Sequence, residues 1–355
     1  MGIKTMTSFT IGAGITGSVY SFINNTALID KAKFEGGRCS SGRIDNLIFD
    51  KGATFLKKEI EFIYKKRTKK FNLVNFFNLI KKDIKFENHK FLSNLFTPTK
   101  GMQSLVSIFI NRDNIHLNSE VLKFKYMNNK IKIYTKNSEY ESDNLLLTPP
   151  LPQSLNLIDE PAIKKEWEIF TEKFSNYRKT LVLTGKWNGN FKINNQNISE
   201  LKSGDSLEYY TIESHKVSEN QSLVLSIQFS EKFSDTYFDS WMDQNKNPSS
   251  TTIEIGHNYF KKIFQKLNLE YMSPDSIRVH RWKYAIPSNS VFQKDELLNF
   301  DSDFWDSYSS LCKEHKTILA GDWIFGQRVT KNILGSIYLS TIFGNPPVWV
   351  EEILT

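Results

Sequence analysis

The chain has 355 residues, 39% of them hydrophobic and 24% charged, and a formal net charge of +7. That composition excludes a disordered chain and a disulfide-stapled miniature, and the length suits about two domains with a sizeable buried core. The positive balance favours anionic partners (a phosphorylated cofactor or substrate, an acidic membrane surface, nucleic acid) without choosing among them. Met1 to Thr10 lacks an apolar core behind a basic head, so no signal peptide is expected, and Met6 stands where a myristoylation motif wants Ser or Thr. No apolar run approaches a membrane span, and the two cysteines, Cys39 and Cys312, have neither metal nor disulfide spacing. A cytoplasmic, soluble protein is the expectation.

Ser8 to Ile11 reads as a short strand, and Gly12-Ala13-Gly14-Ile15-Thr16-Gly17 follows it directly. Ser18 to Asn24 is compatible with a short helix, and Thr26 to Ile29 reads as a second strand ending on Asp30. Strand, Gly-rich turn, helix, strand and acid are the setting that a dinucleotide fingerprint requires. Gly12 permits the tight turn, Gly14 lets backbone approach a pyrophosphate, and Gly17 lets the helix pack on the sheet. The helix N-terminus offers unpaired N–H groups and partial positive charge to the phosphates. Gly12 to Asp30 is 18 residues, slightly short, which predicts a helix of barely two turns. After Asp30 and Lys31 come Gly36-Gly37-Arg38, then Ser40 to Arg43, then Phe49-Asp50-Lys51-Gly52-Ala53-Thr54-Phe55.

The stretch from Lys57 to Lys90 is basic and aromatic. It reads as helices with Phe, Leu and Ile inside and Lys outside, the alternative being a face for membrane or nucleic acid. Further on, Leu181 to Trp187 and Ser222 to Phe229 read as strands, and Ile253 to Leu267 as an amphipathic helix with cap candidates at Ser249 to Thr252.

The acid, the Gly-Gly-Arg and the Asp-x-Gly-Ala-x-x-Phe elements together resemble the flavin amine oxidase superfamily. Thr99 to Leu105, Asp143 to Gln153 with its Thr148-Pro149-Pro150-Leu151-Pro152-Gln153 turn, Val279 to Pro287 and Thr317 to Val329 resemble the renalase-like branch in the same order. The resemblance implies an α/β fold: a Rossmann-type FAD-binding domain, glutathione-reductase and amine-oxidase-like, interleaved with an α+β substrate domain on a mostly antiparallel sheet. We assign 1–55, 95–152 and 276–355 to the FAD domain, and 56–94 and 153–275 to the substrate domain. It implies non-covalent FAD held by Gly12, Gly14, Ile15, Thr16, Gly17, Asp30, Lys31, Gly37, Arg38, Gly52, Ala53, Val121, Gly321, Asp322, Val329, Lys331 and Asn332. Arg38 would lie near the pyrophosphate, and Asp322, at the end of a last parallel strand Ile318-Leu319-Ala320, would bond the ribityl chain or accept from backbone near the pyrophosphate. A helix starting near Lys331 and Asn332 would aim its N-terminus at the flavin N1–C2=O edge. The family usually has a small residue where this chain has Lys331, and a side chain pointing to solvent is expected there, the alternative being a charge beside the flavin.

Trp282, Tyr284 and His280 are the candidates for the substrate wall, with Tyr209 and Tyr210 behind them. Their bland readings are core aromatics and a structural histidine. Arg281 is expected to pair with an acid of the sheet. Nothing in the spacing of His, Cys and acids suggests a metal, and no Ser–His–Asp elbow occurs. The implied activity is oxidation of a dihydronicotinamide-type small molecule, a misreduced NAD(P)H isomer, by hydride transfer to flavin N5, with dioxygen or another acceptor reoxidising the flavin. The alternatives are a flavin-dependent amine oxidase or desaturase-type enzyme, and a non-catalytic flavoprotein or membrane-associated binding protein. No nucleic-acid partner is expected.

Overall fold

The computed structural model describes residues 4–88, 94–191, 198–200, 207–213, 222–293, 295–343 and 346–355. Met1 to Ile3, and the end of the basic stretch at His89 and Lys90, lie outside the described residues. Two sheets dominate. The larger has the order β10-β2-β1-β13-β12-β11, with β20 also on β13. Its strands are β1 (Lys4–Ile11), β2 (Ala27–Ile29), β10 (Ile115–His116), β11 (Val121–Met127), β12 (Lys130–Thr135), β13 (Glu139–Leu147) and β20 (Thr317–Leu319). Strands β10, β2, β1, β13 and β20 run parallel, and β11 and β12 add an antiparallel meander. The sequence of β13 shows why. Its first half alternates, burying Tyr140 and Ser142, and Leu145-Leu146-Leu147 is then continuously buried where β1 and β20 flank it. A strand covered on both faces carries no polar alternation.

Helix α1 (Ile15–Asn24) packs on this sheet, and helix α10 (Val329–Leu339) packs on α1. Helix α1 has 10 residues, nearly three turns rather than barely two, because it begins at Ile15 inside the Gly-rich stretch. Asn25, at φ 51°, closes it with a left-handed cap. The rest of this unit comprises the hairpin β3 (Ser41–Ile44) and β4 (Leu47–Asp50), strands β5 (Leu56–Lys57), β8 (Phe86–Asn88), β9 (Leu95–Pro98) and β19 (Leu298–Asn299), and helices α3 (Met102–Ser107), α4 (Leu151–Leu155), α5 (Pro161–Thr171), α8 (Asp303–Glu314), α9 (Asp322–Phe325) and α11 (Val348–Leu354).

The basic stretch is mostly strand, not helix. Strands β6 (Glu59–Tyr64) and β7 (Arg67–Asn72) form a hairpin, and only α2 (Leu73–Leu79) is helical. Ile60, Phe62 and Phe71 face inward while Glu59, Glu61 and Lys70 face out, so the period is two. Lys65 and Lys66 make the turn with φ of 51° and 59°. Their N–H groups donate to the two carboxylate oxygens of Asp301, at 2.9 and 2.6 Å, which holds a left-handed pair without Asn or Gly.

The second sheet is wholly antiparallel, ordered β15-β16-β17-β14-β18. It comprises β14 (Tyr177–Asn188), β15 (Ile198–Glu200), β16 (Leu207–Ile212), β17 (Ser222–Phe229) and β18 (Ser276–Pro287), backed by α6 (Glu231–Tyr237) and α7 (Ser250–Lys266). Ser249 caps α7 by accepting from the Thr252 N–H at 3.2 Å, as the sequence predicts. Two of the expected boundaries shift. Strand β18 pairs along β14, so 276–287 belongs to this sheet and not with the larger one. Segments 56–94 and 153–175 bury Phe62, Phe76, Phe77, Leu155 and Trp167 in the same core as the larger sheet. No described helix is long and apolar enough to cross a membrane.

Candidate functional site

The Gly-rich turn sits at the carboxyl end of β1, where three glycines do three different things. Gly12 has φ 102°, and a Cβ there would overlap Thr148 Oγ1, which donates to the carbonyls of Ile11 and Gly12, both at 3.0 Å. A Cβ on Gly17 would run into the Gly12 carbonyl. Gly14 is different: its φ is −80°, and a Cβ would meet nothing within 4 Å. Folding does not require glycine there. No side chain caps α1 at Gly14, and its first turn holds no acid.

Asp30 braces the turn from the end of β2. Its carboxylate accepts from the Ala13 N–H at 2.6 Å and the Ala32 N–H at 2.7 Å. Beside it lies a polar cavity of about 370 Å³, lined by Lys31, residues 118–120 and residues 135–138. Lys136 pairs with Glu120 there at 2.9 Å, and Val121 begins β11 next door.

The C-terminal segment meets this turn. After β20, Gly321 at φ 141° leads into α9, and Gly326 leads into α10. Helix α10 begins at Val329, one turn's fraction earlier than expected, and no side chain caps it. Asn332 donates to the carbonyls of Gly326 and Arg328, at 2.8 and 3.0 Å, and accepts from Thr16 Oγ1 at 3.1 Å. Ser336 donates to the Thr16 carbonyl at 3.2 Å. These bonds hold the N-terminal turns of α1 and α10 side by side. Lys331 does not point to solvent. It is buried, and its ammonium donates to the carbonyls of Gln293 and Glu296, at 2.6 and 2.5 Å, clamping that loop. Burial, with Arg328 adding to it, lowers its pKa to about 8.

Arg38 and Asp322 form an ion pair with each other. Arg38 also donates to the carbonyls of Tyr284 and Ala285, each at 3.3 Å, and Tyr177 donates to Asp322 at 3.2 Å. This cluster ties the Gly-Gly-Arg turn, α9 and β18 together. Gly52 and Ala53 lie against Arg38. The Ala53 N–H donates to the Arg38 carbonyl at 2.9 Å, and a Cβ on Gly52 would overlap that carbonyl, so packing alone demands this glycine.

Strand β18 is the edge of its sheet and turns His280, Trp282 and Tyr284 toward these segments. The Trp282 indole donates to the Lys51 carbonyl at 2.7 Å. The His280 ring meets Trp282 edge-on at 4.3 Å, and Tyr284 meets Tyr177 at 5.7 Å. Burial, helped by the charge on Lys51, lowers the His280 pKa to about 4, so the ring is neutral at pH 7. Tyr209 stands edge-on to Phe55 at 6.3 Å, beside the same segment. Tyr210, in contrast, is 1% exposed inside the second core and is no wall residue. Arg281 pairs with no acid among the described residues. It faces outward, donating to the Phe238 carbonyl at 3.0 Å and lying over the Phe238 ring. Cys39 is buried, with its thiol pushed up to about 12 by burial and by Asp50. Tyr177 and Gln228, which donates to the Gly52 carbonyl, escape sequence reasoning because only strand pairing brings them here. Among the described residues one group has metal-ligand spacing, Glu166, Glu314 and His315, and there His315 is already bonded to Glu166 at 2.7 Å.

A family model described as "Flavin containing amine oxidoreductase" matches residues 70–329. No curated protein sequence matches the chain. Among solved structures, a protein from an Exiguobacterium species assigned as a protoporphyrinogen oxidase is similar, with a TM-score of 0.63 at 12% identity over 96% of this chain and 98% of that one. A double mutant of putrescine oxidase gives 0.62 at 10% identity over 97% and 100%. A fatty acid isomerase from P. acnes that produces CLA gives 0.57 at 12% identity over 95% and 98%. At such identities these likenesses speak for the fold.

Proposed function

The chain belongs to the flavin containing amine oxidoreductase family, and from that premise we propose that it binds FAD non-covalently and oxidises a dihydronicotinamide-type small molecule, as renalase-like proteins do. The observation that carries the cofactor reading is Gly14, a glycine with ordinary backbone angles and empty space where a side chain would go. A pyrophosphate over an uncapped helix N-terminus uses that space. The polar cavity beside Asp30 suits an adenosine moiety, which favours FAD over a mononucleotide. The buried, protonated thiol of Cys39 supports non-covalent binding.

When bound, the flavin supplies the two-electron acceptor that takes hydride from the donor. The protein's own part is placement. Gly14 and the first turn of α1 hold the phosphates, and the α10 N-terminus brings partial positive charge to the other end. Trp282, fixed by its bond to the Lys51 carbonyl, and Tyr284 line an aromatic wall that would orient a planar donor. His280, neutral and with a pKa of about 4, is a weak base at pH 7. A dihydropyridine carbon that gives up hydride has no proton to lose, and this wall suits such a donor. Dioxygen or another acceptor completes turnover. Amine oxidation is the second reading, favoured by the family's description. Anaerobic mixing with the 2- and 6-dihydro isomers of NAD(P), and separately with a primary amine, tests the choice. Bleaching of the flavin absorbance by an isomer is expected. Bleaching by the amine alone selects the second reading.

A further inference from the structure

We propose that Lys51 is a specificity-determining cation of the aromatic wall on β18, and that it selects a donor carrying an anionic group, a carboxylate or a phosphate. The proposal rests on the flavoenzyme reading and adds to it a substrate class. Lys51 lies between Asp50 and Gly52, on the segment that abuts Arg38 and faces β18. Its carbonyl is held by the Trp282 indole, so its position along the wall is fixed. Its backbone N–H donates to the Ser40 carbonyl at 3.1 Å, which fixes the other side. The side chain is half-buried, and among the described residues its ammonium makes no ion pair and no hydrogen bond. Arg38, against the same segment, fares differently and pairs with Asp322.

A half-buried ammonium without a counter-ion loses hydration and gains nothing in return. Burial lowers its pKa and no acid offsets that fall. Its backbone, bonded to the Trp282 indole whose ring meets His280, sets Lys51 beside the wall that His280 and Trp282 form. A donor anion is the group whose arrival would restore what burial removes. An ammonium is a point charge with rotatable donors, so carboxylate and phosphate both satisfy it. The aromatic wall beside it asks that the anion be attached to a flat ring.

The test uses the purified full-length protein and three probes that differ only in the polar group on a benzene ring: benzoate, phenylphosphonate and the neutral benzamide. Affinities are read by calorimetry, and by flavin difference spectra where flavin is bound. Benzoate or phenylphosphonate should bind at least about 10-fold tighter than benzamide, the value of one charge-assisted hydrogen bond. Whichever anion binds tighter identifies the group on the donor. Lys51→Met should bring the anions down to the benzamide affinity, and Lys51→Arg should keep most of the preference. Equal affinities in the parent, no anion binding, or a preference that survives Lys51→Met would overturn the proposal. If Lys51→Met fails to melt cooperatively, the parent's ratio and the Lys51→Arg variant decide alone. A colourless protein that cannot be reconstituted sinks the FAD reading instead, and calorimetry still reports on Lys51.

Discussion

On one side of the site, around Gly14, the candidate surface is backbone: a helix end without a side-chain cap and a glycine with room above it. On the other side, along β18, it is side chains on an edge strand: the Trp282 indole, the His280 ring and the Tyr284 phenol. The two surfaces tolerate change differently. Backbone can be presented this way only by a few residue types, and their spacing is rigid. Side chains on an edge strand can be exchanged while the ladder that carries them stays intact, so chemistry can drift there without disturbing the fold. Substitutions on each side should therefore separate cleanly into losses of structure, of cofactor and of rate.

The largest effect belongs to Gly17. A methyl there meets the Gly12 carbonyl, and neither backbone can move without breaking the packing of α1 on β1. Gly17→Ala should cost about 3 kcal/mol or more, and thermal melting should show it as a marked fall in Tm. A Tm equal to the parent's would mean that the turn is softer than its geometry implies. Next comes Trp282→Ala, which removes the bond to the Lys51 carbonyl and the indole face together. Flavin content should hold while stopped-flow reduction slows by about 10-fold or more; loss of flavin instead would merge the two surfaces into one.

His280→Gln should do less. Reduction should slow by far less than the ~10²–10⁴-fold that follows loss of a general acid or base. Its stability effect has a definite sign. The folded-state pKa of about 4 lies below the ordinary 6.5, so the unfolded chain binds more protons between those values. Stability is thus full above pH 6.5 and falls as pH drops toward 4. The Gln variant should lose part of that acid slope in melts at pH 7 and 4.5; parallel curves would argue against the buried neutral ring. The smallest effect is expected for neutralising Lys65, Lys66, Lys69 and Lys70 together. Lys65 pairs with Glu351 at 2.8 Å and Lys70 with Glu59 at 3.4 Å, all largely exposed, and each substitution should shift stability by no more than about 0.5 kcal/mol. Salt-sensitive binding of the parent to anionic vesicles or nucleic acid, lost in this variant, would make the hairpin a functional face.

Why one side was legible and the other was not follows from the same contrast. The Gly-rich turn, Asp30 and the Thr148 turn are local, and their residue types are dictated by φ angles and close approach. So is the Ser249 cap of α7. The edge strand β18 was readable as an aromatic segment but not as part of the second sheet, because its partner β14 lies about a hundred residues away. Arg38 and Asp322 are 284 residues apart, and no spacing rule predicts that they pair. The Lys65–Lys66 turn gave no signal, since Asp301 stabilises it from a distant loop. Lys331 was misplaced because its partners are carbonyls, which carry no mark in a sequence.

The most direct test of the account is Gly14→Val. At φ −80° and ψ −177° a β-branched residue is at ease, and nothing within 4 Å opposes its Cβ. The account predicts a protein that melts cooperatively at the parent's Tm and is purified without flavin, where the parent is yellow and releases FAD on acid precipitation. A Gly14→Val protein that keeps a full complement of flavin would contradict it, because the open space above Gly14 would then belong to no cofactor.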